Sequence, residues 1–223
     1  MENIEAQVLG HAQSSTLATN RLIRNTYTLL ALTLAFSAMT AGLSMALSLP
    51  YLGPWITLAG YFGLLFLTTK FRNSGLGIVC VFALTGFMGA TLGPILSFYL
   101  ATPHGSQLVM QALGATAFIF FALSAYALYS RKDFSFMAGF LFVGILVAFF
   151  AGLAAIFFDM STLALAVSAA FVLLASGLIL YETSAIVHGG ETNYIMATVT
   201  LYVSIYNLFT SLLHLLGAFS GDD

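Results

Sequence analysis

Apolar residues in this chain come in long runs separated by short polar interruptions, and a helix needs about 20 residues to cross the hydrocarbon core of a bilayer. Cut with that ruler, the sequence predicts seven spanning helices, near 26–48, 51–69, 76–100, 108–129, 135–158, 161–183 and 194–217. The interruptions carry turn chemistry: Pro50, Gly53 and Pro54 after the first run, Thr102 to Ser106 after the third, Asp159 and Ser161 after the fifth, Val187 to Asn193 after the sixth. The predicted fold class is therefore an all-α polytopic membrane protein with seven transmembrane helices.

Two patterns inside the runs say how the helices pack. Small residues stand at helical spacing on the third run (Gly86, Gly89, Gly93) and on the fifth (Gly144, Ala148, Gly152), where they let backbones approach closely in lipid. Pro94, directly after Gly93, interrupts the hydrogen-bond ladder and could kink the third helix; packing is the plainer reading of this site and a gating hinge the sharper one. On the last run Thr200, Ser204, Asn207, Ser211 and His214 recur at spacings of four and three and form one polar stripe. Lipid suits such a stripe poorly, so the last helix is expected to be central in the bundle. Tyr194, Tyr202 and Tyr206 fall on a neighbouring face and are expected to serve packing or interface anchoring.

Composition agrees with a membrane home: 60% of the 223 residues are hydrophobic and 6% are charged, and the mean hydropathy is +1.00. Charge then orients the spans. All six basic residues lie in three pairs, Arg21 with Arg24, Lys70 with Arg72, and Arg131 with Lys132. Lys and Arg stay on the cytosolic side of short loops, so the N-terminus is expected in the cytoplasm and, after seven spans, the C-terminus in the periplasm. Residues 1–24, with Glu2, Glu5 and many Ser, Thr and Gln, read as a flexible cytosolic tail; 25–219 form the bundle and 220–223 a short C-terminal tail. No basic region precedes an apolar core there, so a cleavable signal peptide is not expected. A net charge of -2 offers no field for nucleic acid, and a single cysteine, Cys80, permits no internal disulfide.

Chemistry is sparse. Glu182 is the one carboxylate within a span, a turn before the expected inner end of the sixth helix; burial there disfavours the charged form, which makes it a candidate proton or cation sensor. The plainer reading is a Glu that reaches headgroups or pairs with a basic loop residue. His188 and Glu191 flank a glycine pair in the last inner loop, but two ligands without a third make no metal site. No zinc-protease motif, phosphate loop or dinucleotide fingerprint occurs, and neither a paired aspartate site nor an activated serine is recognisable. No catalytic residue and no cofactor is expected.

The last third of the chain carries a resemblance: Tyr181-Glu182-Thr183, then VHGGETNYI from Val187 to Ile195, then LYVSIYNLF from Leu201 to Phe209. RNTY from Arg24, TLAFSA from Thr33, TGFMGATLGPIL from Thr85 and RKDFSF from Arg131 extend it over nearly the whole length. The sequence resembles the transmembrane Bax-inhibitor-motif family, most nearly a bacterial inner-membrane member. The resemblance implies a seven-helix bundle with the last helix surrounded by the others. It further implies a modulator of the ATP-dependent membrane protease FtsH, degraded slowly by it and restraining it, with the N-terminal tail as the handle by which degradation starts. Other members look like pH-sensitive calcium leak proteins in which an acid on the sixth helix pairs with an acid on the seventh. Here Glu182 matches the first position, while the second is Ser204; Asn207 and Thr200 could add neutral oxygens. A lone carboxylate binds a divalent cation weakly, so calcium and protons enter as the alternative ligands.

Overall fold

The computed structural model describes the backbone of residues 2–220 and the side chains of residues 17–220. Seven helices follow one another: α1 (Glu2–Ala46), α2 (Gly53–Phe71), α3 (Gly75–Leu100), α4 (Gly105–Ser130), α5 (Met137–Phe157), α6 (Ser161–His188) and α7 (Tyr194–Ser220). Six of them, all but α2, are long and apolar enough to cross a membrane. α2 has 19 residues, which reach about 28 Å at 1.5 Å each; its apolar character is diluted by Pro54, Gly60, Gly63 and the terminal Lys70. The polar segment read as a tail is continuous in backbone with the first apolar run, since α1 starts at Glu2. From residue 17 to residue 24 its side chains are exposed or half-exposed. The tail's earlier side chains lie outside the described residues, as do residues 221–223 of the C-terminal tail.

Packing divides the helices into inner and outer ones. α7 packs against α1, α3, α4 and α6, whereas α2 leans on α3 and α5 leans on α6. α7 also has the largest buried share of the candidate spans, 44% of its most apolar window against 17% for α5. The bundle turns large apolar side chains outward and keeps many hydroxyls within. Phe62, Phe66, Phe140, Phe150 and Phe157 face outward, while Thr33, Ser37, Ser44, Thr85, Thr91, Thr116 and Ser204 are buried. That inversion suits lipid, which rewards an apolar exterior and leaves hydroxyls to find partners within the protein. Many of the hydroxyls bond a carbonyl one turn back on their own helix, as Thr68 does to Leu64, Thr116 to Ala112 and Ser176 to Val172.

The small-residue seams are contact surfaces. A Cβ on Gly86 would stand 2.6 Å from the Phe36 ring and one on Gly93 2.6 Å from Ser44 Cβ; one on Gly89 would collide with the Ser37 carbonyl oxygen. All three glycines thus let α3 lie against α1. On α5, Gly144 meets Leu174 and Gly152 meets Val167 of α6. Pro94 lies inside α3, which is helical on both sides of it, from Gly75 to Leu100.

One boundary differs from the sequence reading. α6 runs on to His188, beyond the expected end near 183, so Glu182 sits nearly two turns from the helix end and the α6–α7 loop is confined to Gly189–Asn193. Gly189 supplies the left-handed residue that ends the helix (φ 76°), and the N–H groups of Gly190 and Glu191 close on the Ala185 carbonyl.

Candidate functional site

The three basic pairs share one end of the bundle: Arg24 of α1 lines a cleft with Tyr194 at the start of α7, and the connections at or beside the other two pairs are bonded to α6 and the α6–α7 loop. Asn193, between α6 and α7, donates from Nδ2 to the Arg72 carbonyl (3.0 Å) and to Asn73 Oδ1 (2.8 Å) of the α2–α3 loop. Its Oδ1 accepts from the Ile195 and Met196 N–H groups, capping α7. On the other side Ser184 and His188 of α6 reach the α4–α5 loop, where Arg131 and Lys132 stand. All six basic side chains are exposed. The Lys70 ammonium lies 5.9 Å from the Phe71 ring centre and the Lys132 ammonium 6.0 Å from that of Tyr126.

Below this face is a polar layer. Glu182 is only 5% exposed, and its Oε1 has no hydrogen-bond partner. Burial at this level answers the reading of a headgroup-reaching Glu: the side chain is inside the bundle. Thr26 Oγ1 on α1 and Ser124 Oγ on α4 are likewise buried without a partner. These helices meet at one level. The Tyr27 hydroxyl lies 3.3 Å from Thr183 Oγ1, Thr198 Oγ1 donates to the Thr26 carbonyl (3.2 Å), and the Tyr27 and Phe120 rings stand 6.1 Å apart. Three buried polar atoms without a partner, on α1, α4 and α6, are unusual in a packed interior. One carboxylate among neutral oxygens is a weak divalent site.

The stripe on α7 is partly buried: Ser204 and Ser211 are enclosed, Thr200, Asn207 and His214 are half-buried. Ser204 Oγ donates to the Thr200 carbonyl (2.8 Å), and His214 Nδ1 pairs with Ser168 Oγ of α6 (2.8 Å). Counted from the α6–α7 loop, Ser204 lies about one turn deeper than Glu182, and among the described residues no hydrogen bond joins Glu182 to Ser204 or Asn207. On another face of α7, Tyr202 is 1% exposed and ties three helices: Ser37 Oγ of α1 donates to its hydroxyl (2.6 Å), which donates to the Thr85 carbonyl of α3 (3.2 Å). The packing expected of Tyr202 is thus accompanied by a hydrogen-bonded knot that spacing alone did not reveal.

A cleft of about 260 Å³ opens between α2 and α5, with Tyr51, Thr57, Thr91, Phe149, Leu153 and Tyr206 on its walls. Beside it Phe62 and Phe149 meet edge to face at 5.9 Å. Residues that the sequence reading left without a role, Thr26, Ser124 and Ser184, stand in or beside the polar layer. Two others, His188 and Asn193, were visible as members of the VHGGETNYI word, without the partners that give them work.

Comparison with known proteins places these features in company. The family model described as "Inhibitor of apoptosis-promoting Bax1" matches residues 19–221. An uncharacterized protein of Pseudomonas aeruginosa is 57% identical over 91% of this chain and 91% of its own. The protein named Modulator of FtsH protease YccA, from Escherichia coli K12, is 54% identical over 95% of this chain and 96% of its own. An uncharacterized membrane protein of Vibrio cholerae is 46% identical over 93% of this chain and 94% of its own.

Proposed function

Because the chain belongs to the family of inhibitors of apoptosis-promoting Bax1, we propose that it is a bacterial inner-membrane modulator of FtsH, a slowly degraded substrate that restrains the protease while engaged. The observation that carries this reading is the 54% identity, over 95% of the chain, with a relative named for modulating that protease. The fold supports it physically. A motor that extracts helices must break the Tyr202 knot and the α1–α3 glycine seam, which join the first, third and last helices, before any of those three leaves alone. Resistance of this kind keeps a protease occupied.

In this reading all seven helices span the bilayer, α2 being the least apolar of them. The basic end faces the cytoplasm, as retained Lys and Arg require, with the C-terminus in the periplasm. Residues 1–24 are the handle the motor grips, and the protein performs no catalysis of its own. Purified FtsH reconstituted in liposomes with this protein tests the proposal through the protein's own turnover. Slow degradation, made slower still by removing residues 1–24, is expected; turnover unchanged by the truncation would remove the tail from the mechanism.

The buried, unpartnered Glu182 Oε1 favours one second reading, a proton-gated cation leak through the inner polar layer. Glu182→Gln would then abolish the pH dependence of calcium flux in liposomes, and an unchanged profile would exclude Glu182 as sensor.

A further inference from the structure

The cleft at the basic end has a volume of about 350 Å³, and its walls are Arg24, Asn25, Thr28, Leu29 and Leu32 of α1 with Tyr194 of α7. The α1 positions alternate spacings of one and three, so they form one face of that helix. Polarity falls in steps along this face: a guanidinium first, then an amide and a hydroxyl, then two leucines, over about 12 Å of helix axis. A phospholipid has the same order of phosphate, glycerol ester and acyl chain.

The cleft also stands at the right height. Counted back about 20 residues from Ala46, the hydrocarbon crossing of α1 begins near residue 27. Arg24 is thus one turn outside the hydrocarbon, at the level of lipid phosphates, while Leu29 and Leu32 are inside it. Thr198 Oγ1 donates to the Thr26 carbonyl (3.2 Å) and fixes α7 beside α1. Both helices run away from this end, so Tyr194, one turn before Thr198, comes level with Arg24. Arg24, Thr28 and Leu32 are exposed, Asn25 and Tyr194 are half-buried and Leu29 is buried. The cleft therefore has an apolar floor and opens outward to lipid.

Its charge is not neutralised from within. No carboxylate lines it. Glu191, three residues before Tyr194, has its Oε1 engaged by the Thr192 and Asn193 N–H groups, and Glu182 is buried in α6. Arg21, one turn before Arg24 and also exposed, adds a second positive charge. Lys70 and Lys132, by contrast, turn toward aromatic rings. Arg24 and Asn25 open the RNTY word and Tyr194 belongs to VHGGETNYI, so two of the words that carry the family resemblance meet here.

We propose that the cleft between α1 and α7 binds one anionic phospholipid of the leaflet at the basic end, its phosphate on Arg24 and one acyl chain along Leu29 and Leu32. Basic pockets between spanning helices suit such headgroups, and a guanidinium can bond two phosphate oxygens at once. The proposal rests on α1 crossing the bilayer and stands whether or not the chain restrains a protease.

Native mass spectrometry of the full chain in mild detergent tests it, with phosphatidylglycerol and zwitterionic phosphatidylcholine of identical acyl chains as probes. One phosphatidylglycerol should be held about fivefold more tightly than phosphatidylcholine, the scale of one Arg at an anionic surface; equal retention would overturn the proposal. Arg24→Gln should abolish the preference, whereas the double variant Arg131→Gln, Lys132→Gln should keep it. Equal losses in the two would reduce the effect to diffuse charge and overturn the site. Thr28→Phe leaves Arg24 in place and fills the cleft with a ring, so the preference should fall there too; an undiminished preference would overturn the cleft as the site. Glycerol 1-phosphate in large excess should leave the lipid bound, and displacement as complete as in Arg24→Gln would assign the site to free phosphates instead. A dimer that Thr28→Phe dissolves, with no lipid retained by the unaltered chain, would give the cleft to a second copy and overturn the proposal.

Discussion

Tyr202→Phe removes a single oxygen from the buried knot that ties α1, α3 and α7. The ring remains, so packing changes little and the loss reports hydrogen bonding. Two bonds disappear. Interhelical hydrogen bonds in membrane proteins contribute about 0.6 kcal/mol each on average, which gives about 1.2 kcal/mol for the pair. The abandoned partners add little: the Thr85 carbonyl keeps its own helical bond, and the Ser37 hydroxyl can turn to a carbonyl one turn back, as Thr33 and Thr40 already do. Ser37→Ala should cost about half as much, and the double variant should cost about 0.6 kcal/mol less than the sum of the singles, because one bond is shared. The assay is reversible unfolding in mixed micelles of mild detergent and SDS, followed by helical circular dichroism. A Tyr202→Phe protein within about 0.3 kcal/mol of the unaltered chain, or singles that add fully, would refute the knot.

Other consequences follow from the same geometry. Gly89→Val drives side-chain atoms onto the Ser37 carbonyl and Thr40 hydroxyl and should destabilise by about 1–3 kcal/mol in the same unfolding assay. Gly63→Ala, whose new Cβ meets open space, should be neutral or gain up to about 1 kcal/mol; a loss at Gly63 matching that at Gly89 would contradict the seam. Asn193→Ala strips the cap of α7 and both bonds to the α2–α3 loop, and should cost about 1 kcal/mol or slightly more, with Asn193→Asp intermediate. The Ser135 N–H and hydroxyl hold the Asp133 carboxyl below the usual carboxylate range, with His188 adding to the effect. Its folded-state contribution is therefore present above the ordinary carboxylate range and fades as pH falls through the lowered value. Carbon NMR titration should show Asp133 ionising below free aspartate, and ionisation at or above the free value would contradict that turn.

How far these features could be read in advance depends on the distance over which their causes act. Six of the seven expected spans reappear as long apolar helices, because a bilayer imposes one length and one polarity on every crossing. The seventh, α2, was read by the same ruler, yet its glycines, proline and lysine leave it short of the apolarity of the rest. The glycines of α3 announced a close contact by their spacing but could not name α1 as the partner. The Ser37–Tyr202 bond joins residues 165 positions apart, and no local pattern encodes such a pair. α6 outran its expected end because Ser184 and His188, polar in sequence, spend their polarity on the α4–α5 loop. Glu182 stood out by being the lone acid in an apolar run; that Thr26 and Ser124 share its unfilled layer is a property of four helices meeting.

The measurement that bears most directly on function is the rate at which purified FtsH degrades an independent membrane substrate in liposomes, with and without an excess of this protein. The account predicts slower degradation with the intact chain, relieved when residues 1–24 are removed or when Tyr202→Phe loosens the bundle. An unchanged rate in the presence of the intact chain would contradict it.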